Sequence, residues 1–424
     1  MFLSIKNTGK LSIAEIEIKG ITVIAGVNNT GKSTIGKVLF CLFNSFYKID
    51  QQIELERKSR ISRIIESEYH ETANRLTREF DAYETAEYIM NRKTSYESRE
   101  RLVEDLRNLY VQTDKNFEKY LSDDFLVNIS ESIMRILNIS DVEIFAAVFQ
   151  RRLQAEFNMQ INNIYHSGMC SEIALIIKDK EVKVSVLEDE QIKINNSFSL
   201  NTEVIYMDDP LALDDSRASV SISKNHREHL ITKLLTRNED SPVKNAIDEI
   251  IAAKKLETVN AKLSSVCKGQ LTRKSKSARL AVAYQEGDSE TTIDMKNVST
   301  GLKTFLILKT LLLNGSLVEN GIIVLDEPEI HLHPEWQLVF AELIVLMQKE
   351  FNMHILLNTH SPYFLDAIDV YSHKYGLSSK CKYYLAEDVN GIASITDVSD
   401  NIEKIYEKLS RPLQVLENER YQND

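Results

Sequence analysis

Apolar and polar positions along this chain follow two periods, and the changes of period mark its organisation. Leu11-Ser12-Ile13-Ala14-Glu15-Ile16-Glu17-Ile18 alternates at period two, the pattern of a half-buried strand. Phe2, Leu3 and Ile5 predict a strand before it. Ile21-Thr22-Val23-Ile24-Ala25, Ile322–Leu325 and His354–Thr359 are near-continuous apolar runs, which predict buried strands as in a parallel sheet, and Glu203–Met207 predicts another strand. Ile173–Ile177 and Val182–Leu187 flank Lys178-Asp179-Lys180 and predict a hairpin. A second hairpin is predicted from Leu280, Val282 and Tyr284 across Gly287-Asp288 to Thr292-Ile293.

Helical spacing appears at Ile35–Phe43, Thr304–Leu313 and, as an amphipathic helix, Glu335–Phe351. Residues 46–165 change character. They are polar and charged, contain no proline and almost no glycine, and place Ile61, Ile64, Ile65 and Tyr69 at helical spacing. Breaks at Asp81, Thr94 and Ser122-Asp123-Asp124 predict several helices in place of one coiled coil. Residues 366–424 alternate weakly at Tyr383–Ala386 and Ile392–Ile395, then end in a polar helix. The pattern predicts an α/β domain of residues 1–45 and 168–424, interrupted by a helical insertion, residues 46–167, that serves as a lid or interaction platform.

Composition narrows the class. The 424 residues are 43% hydrophobic and 27% charged, typical of a soluble globular chain, with a formal charge of -12. Such a chain does not attract nucleic acid from a distance, so any contact needs a local basic patch. One exists: from Lys254 to Arg279, basic residues (Lys254, Lys255, Lys262, Lys268, Arg273, Lys274, Lys276, Arg279) outnumber acidic ones (Glu257) by eight to one. The segment fits a nucleic-acid backbone, an acidic partner or a solvated face. Cys41, Cys170, Cys267 and Cys381 are scattered and read as reduced thiols. With no apolar run of membrane-spanning length and no signal-peptide layout at the N-terminus, the expected location is the cytoplasm.

The chemistry concentrates in a few motifs. Gly26-Val27-Asn28-Asn29-Thr30-Gly31-Lys32-Ser33-Thr34 lies between a predicted strand and a predicted helix, the context that makes GxxxxGK[ST] a phosphate loop. Its glycines let successive amides point at a phosphate, the helix N-terminus adds its dipole, Lys32 adds charge and Ser33 a hydroxyl for magnesium. Asp326-Glu327-Pro328 ends a buried strand. Asp326 can hold magnesium directly or through water, and Glu327 can orient or deprotonate an attacking water; alternatively the three residues are an exposed turn. Ser299-Thr300-Gly301 opens a helix and is either a second anion site or an ordinary cap. His360 follows a buried strand, placed to touch a terminal phosphate or the attacking water. His226 and His229 sit three apart with no third metal ligand evident, so a surface helix is expected there.

In this order the motifs resemble the ABC-type ATPases, and within them the SMC, RecF and OLD-like branch, including ATPase subunits of bacterial anti-phage systems such as Septu. The likeness covers residues 1–45 and about 295–370. It implies a P-loop NTPase fold of ABC type with a mixed sheet, an N-terminal antiparallel layer and a helical insertion. In that family's terms Gly26–Thr34 is Walker A, Val298-Ser299-Thr300-Gly301 the signature, Asp326-Glu327 Walker B with a catalytic Glu327, and His360 the switch histidine. Glu329-Ile330-His331-Leu332-His333-Pro334 lies where the D-loop does. Thr300 and Leu302 depart from the usual signature. The Q-loop falls at Gln150, Gln154 or Asp208-Asp209-Pro210. The long coiled coil of SMC proteins is missing, and Glu387-Asp388, Asp397 and Asp400 lack the spacing of a Toprim nuclease cluster.

The resemblance implies ATP and magnesium as cofactors and head-to-tail pairing of two copies, as a homodimer or higher homo-oligomer, around ATP. It implies a switch that controls a separate effector, a nuclease or toxin. A repair ATPase of the RecF kind, binding DNA through the Lys254–Arg279 segment, is the alternative. A clamp that binds ATP without turnover has no need of Glu327.

Overall fold

The computed structural model describes residues 1–72, 81–113, 121–163, 165, 168–187, 191–215, 224–236, 246–273, 282–287 and 291–422. The chain divides into two compact units, Met1–Tyr47 with Phe149–Asp424, and Lys48–Val148. Along it, β1 (Phe2–Thr8), β2 (Leu11–Glu17) and β3 (Ile21–Gly26) lead into α1 (Lys32–Phe46). Helices α2 (Ile49–Thr72), α3 (Ala82–Asn91), α4 (Arg99–Thr113), α5 (Asp123–Asn138) and α6 (Asp141–Phe157) follow. Next come β4 (Ser171–Ile177), β5 (Lys180–Val186), β6 (Ile192–Ile194), β7 (Val204–Met207), α7 (His226–Leu235) and α8 (Ala246–Val266). The chain continues through β8 (Gln270–Arg273), β9 (Val282–Gln285), β10 (Thr292–Asp294), α9 (Thr300–Leu313), β11 (Ile322–Asp326) and α10 (Pro334–Phe351). It closes with β12 (His354–Thr359), α11 (Pro362–Lys374), β13 (Cys381–Val389), β14 (Ile392–Asp397) and α12 (Glu403–Gln422).

The expected α/β class is observed. One mixed sheet runs in the order β6-β5-β4-β1-β2-β14-β13-β3-β12-β11-β7. Its β13-β3-β12-β11-β7 half is parallel, and β1, β2, β4, β5 and β6 form an antiparallel layer. The runs read as buried strands are so: every residue of β3 and β11 is buried, as is β12 beyond His354, and β7 is buried throughout as well. The hairpins β4–β5 and β9–β10 pair as their alternation implies.

Within Lys48–Val148, Ile61 and Ile65 of α2, Ile89 of α3, Leu102, Leu106 and Tyr110 of α4 and Leu126, Ile129 and Ile133 of α5 share a core of their own. Two of the breaks in periodicity are N-caps. Asp81 accepts from the amides of Tyr83 and Glu84, and Ser122 from that of Phe125, satisfying donors that open α3 and α5.

Three readings are corrected. The α7 helix is not a surface helix: His226, Leu230, Ile231, Leu234 and Leu235 are buried. The α10 helix is amphipathic only at its ends, where Glu335 and Lys349 are exposed, since Phe340–Gln348 are buried on all sides. Residues 366–374 belong to α11, and β13 pairs in parallel with β3 inside the sheet. Among the described residues no helix is long and apolar enough to cross a membrane.

Candidate functional site

Parallel pairing brings distant segments to one edge of the sheet. Ala25 pairs with Thr359, Asp326 with Asn358, and Leu325 with Met207. The chain segments that leave these positions, at Gly26, His360, Glu327 and Asp208, emerge side by side at the carboxyl ends of the strands, where open α/β sheets bind ligands. A cavity of about 450 Å³ opens there. It is lined by Asn28, Asn29, Thr30, Gly31, Lys32, Ser33 and Thr34, by Asp326, Glu327 and Ile330, and by Lys10 and Asp208.

The loop has the geometry its sequence requires. Asn29 at φ 63 and Gly31 at φ 80 take left-handed backbone, which curls the amides into a concave nest. A Cβ on Gly31 would also meet Leu11 Cδ2 at 2.7 Å. Gly26 lies against β13, where a Cβ would meet the carbonyl oxygen of Ala386 at 2.3 Å. Lys32 is buried and donates to the carbonyls of Gly26 at 3.0 Å and Val27 at 2.9 Å. Its Nζ lies 3.4 Å from Glu327 Oε1.

The carboxylates are held firmly. Asp326 Oδ1 accepts from Asn358 Nδ2 at 2.8 Å, and Oδ2 accepts from the Tyr206 hydroxyl at 2.7 Å. Glu327 takes φ 50, and its amide donates to the Asn358 carbonyl at 2.9 Å. His360 Nδ1 lies 3.4 Å from Glu327 Oε1 and 3.9 Å from Glu329 Oε1. Glu329 is buried, accepts from the Thr359 hydroxyl at 2.5 Å, and has its pKa raised by burial.

Behind Asp208 lies a buried charged cluster. His226 Nδ1 is 2.6 Å from Glu156 Oε1, and its Nε2 is 3.0 Å from Asp208 Oδ2. Arg227 Nη2 donates to the same Asp208 oxygen at 2.7 Å. Burial opposes a charge on His226, but hydrogen bonds to Asp208 and Glu156 overcome it and raise its pKa to about 9. His229 instead pairs with Glu203 at 3.0 Å, and burial lowers its pKa. The two imidazoles are therefore committed to different carboxylates.

Ser299, Thr300 and Gly301 lie elsewhere. They line a separate cavity with His331, His333 and Trp336. Ser299 caps α9, its hydroxyl accepting from the Leu302 amide at 3.4 Å. A Cβ on Gly301 would meet the His331 carbonyl oxygen at 2.8 Å, so the helix start and the His331 turn are in tight contact. Lys303, one turn into α9, is buried and pairs with Asp214 at 2.6 Å. Of the three Q-loop candidates, Asp208 lines the phosphate-loop cavity; Gln150 and Gln154 lie on α6.

The basic segment is partly neutralised. Lys255 pairs with Glu319 at 3.0 Å, and Lys262 pairs with Glu342. Lys274, Lys276 and Arg279 lie outside the described residues.

Sequence reasoning missed Lys10, Tyr206 and Asn358 as neighbours of the motifs, and it placed Glu329 in the D-loop turn without its contacts to Thr359 and His360. Asn358 carried a signal, being a polar residue inside an apolar strand; Lys10 carried none.

The AAA ATPase domain family matches residues 1–365. The "Retron Ec83 probable ATPase" of Escherichia coli is 26% identical over 215 residues, 47% of this chain and 38% of that protein. The "Retron Vc95 probable ATPase" of Vibrio cholerae serotype O1 biovar El Tor is 26% identical over 217 residues, 45% of this chain and 40% of that protein. The chain thus spans well under half the length of these relatives. The solved Smc head domain with an extended coiled coil bound to the C-terminal domain of ScpA, derived from Pyrococcus furiosus, aligns at a TM-score of 0.42 with 13% identity. That alignment covers 99% of this chain and 98% of the Smc chain. With 365 of its 424 residues matched, the chain belongs to the AAA ATPase domain family.

Proposed function

We propose that this ATPase domain is a nucleotide-driven switch. It binds ATP in the phosphate-loop cavity, pairs head to tail with a second copy around the nucleotide, and by hydrolysis controls a separate effector, a nuclease or toxin, in cytoplasmic anti-phage defence. The observation that carries this reading is the separation of two half-sites: Gly31–Thr34, Asp326 and Glu327 line one cavity, Ser299–Gly301 another. A small hydroxyl and a helix N-terminus suited to phosphate sit away from the chain's own phosphate loop, so a second copy is the natural source of the missing half. The similarity to two retron ATPases supports the defence setting.

The residues divide the chemistry. The loop amides and Lys32 bind the phosphates. Glu327, 3.4 Å from both Lys32 and His360, accepts the proton of the water whose oxygen attacks the terminal phosphorus, and the bond to the leaving ADP breaks in line. Ser33 and Asp326 offer hard oxygen donors that fit magnesium. Among the described residues no group of three or more His, Cys, Asp or Glu could hold a metal alone, so the remaining ligands would be water and nucleotide phosphate. Bound there, the ion would neutralise charge developing on the phosphates. The helical insertion, residues 46–167 by sequence, would pass the motion on. Two lysines of the basic segment are ion-paired within the fold, which favours the switch over direct DNA binding.

The test is Glu327→Gln. The substitution keeps shape and removes the proton acceptor, so turnover should fall about 10²–10⁴-fold while ATP still binds. Light scattering should then record an ATP-dependent pair. Wild-type turnover would end the role given to Glu327. A single mass with and without ATP would end the pairing.

A further inference from the structure

We propose that Lys10 is a second phosphate-binding cation of the nucleotide cavity, delivered by the β1–β2 turn and held in reserve by Asp388. The inference rests on the nucleotide reading of that cavity and adds a residue that no motif contains.

Lys10 lines the same cavity as Asn28–Thr34. The turn that carries it is fixed against the loop. Gly9 takes φ 54, its amide donates to the Ile161 carbonyl at 2.8 Å, and a Cβ there would lie 3.3 Å from Thr34 Oγ1. On its other side the Lys10 ammonium pairs with Asp388. Asp388 is placed by the strand beside the phosphate loop: two residues earlier Ala386 pairs with Gly26, and Asp388 Oδ1 accepts from the Gly391 amide at 2.7 Å. The acceptor is therefore anchored, whereas the lysine is a point charge on a flexible four-carbon stem.

The charge balance of the cavity calls for this cation. Asp208 is already held by His226 and Arg227, which leaves Asp326 and Glu327 against Lys10 and Lys32, and Lys32 is shared between two carbonyls and Glu327. A magnesium-bound triphosphate is still an anion, and Lys32 alone does not offset Asp326, Glu327 and the nucleotide. The Lys10–Asp388 pair keeps some solvent contact, with side-chain exposures of 16% and 24%. A partly exposed pair contributes little to stability, so it can be exchanged for a phosphate oxygen at small cost. On nucleotide binding Lys10 leaves Asp388 for the phosphate chain, and Asp388 is its competitor.

The experiment titrates a fluorescent ATP analogue into the full chain and its variants. Wild-type binding must be seen first; its absence would end the nucleotide reading itself. Lys10→Ala should weaken affinity about tenfold, the loss of one charge-assisted hydrogen bond, and Lys10→Arg should restore most of it. Asp388→Asn keeps size and removes the competing charge, so it should bind ATP more tightly than wild type. A merely structural ion pair would move both variants in the same direction. Unchanged affinity in Lys10→Ala, or weaker binding in Asp388→Asn, overturns the proposal.

Discussion

Tyr206 donates its hydroxyl hydrogen to Asp326 Oδ2 at 2.7 Å while its ring lies 4.4 Å, centroid to centroid, from the imidazole of His226. One side chain thus holds a cavity carboxylate with its polar end and packs on the buried charged cluster with its face. Tyr206→Phe keeps the packing and frees one oxygen of Asp326. A hydrogen bond to a charged group is worth roughly 1.5–3 kcal/mol, so ATPase turnover should fall about tenfold or more. The thermal midpoint should fall by about 2–3 °C with the same lost bond. Unaltered turnover and magnesium dependence would show that Asp326 does not need this restraint.

The cluster behind Asp208 predicts a pH effect on stability. His226 has its folded pKa raised from 6.5 to about 9. A raised pKa means that the charged imidazole stabilises the fold fully below pH 6.5, and that this contribution is lost as pH climbs through about 9. His226→Gln leaves the buried Glu156 with only the more distant Lys37, at 4.0 Å, a cost of about 1–3 kcal/mol. Unfolding midpoints should therefore differ by about 1–3 °C near neutrality, and the difference should shrink above pH 9. A difference that does not vary with pH would mean that His226 is neutral.

Gly301 predicts an effect on assembly. An added Cβ meets the His331 carbonyl at 2.8 Å and the Trp336 ring at 3.2 Å. Backbone cannot yield cheaply, so Gly301→Ala should shift Ser299 relative to the His331 turn. Nucleotide affinity of the single chain should survive, whereas ATP-dependent pairing and turnover should drop together. Normal pairing in Gly301→Ala would remove this surface from the contact.

Glu342 predicts the fate of part of the basic segment. Its carboxylate receives Lys262, Lys374 at 2.8 Å and the Tyr375 hydroxyl at 2.7 Å. Burial opposes its ionisation, but hydrogen bonds from Lys262, Lys374 and Tyr375 win and lower its pKa to about 2. The stabilisation is present above the usual value of 4.5 and is lost as pH falls toward 2. Glu342→Ala should cost about 1–3 kcal/mol and lower the thermal midpoint by about 1–3 °C at neutral pH. No change would return Lys262 to a solvated or partner-facing role.

Local pattern carried much of this. The buried strands and the Gly26–Thr34 loop are continuous in sequence, so their elements could be read directly. The wall of the cavity is not continuous. Tyr206 reaches Asp326 across 120 positions, and Lys10 enters through β-pairing that no spacing encodes. The α7 helix misled because histidine counts as polar until its carboxylate partners are known, and those lie at Glu156 and Asp208. Strand β13 was faint because Lys382 and Glu387 interrupt its apolar run, although its backbone pairs with β3 through Gly26.

The most direct test of the central claim mixes two inactive chains. Lys32→Ala removes the phosphate-loop charge, and Ser299→Arg blocks the other half-site. If each nucleotide is enclosed by the loop of one copy and Ser299 of another, neither variant alone hydrolyses ATP. A mixed pair, however, contains one intact composite site. Random exchange makes half of the pairs mixed, each with one of two sites working, so ATPase activity should return to about a quarter of the wild-type rate. Full activity in Ser299→Arg alone, or a mixture that stays as inactive as its parts while both variants remain folded and associate, would contradict the head-to-tail account.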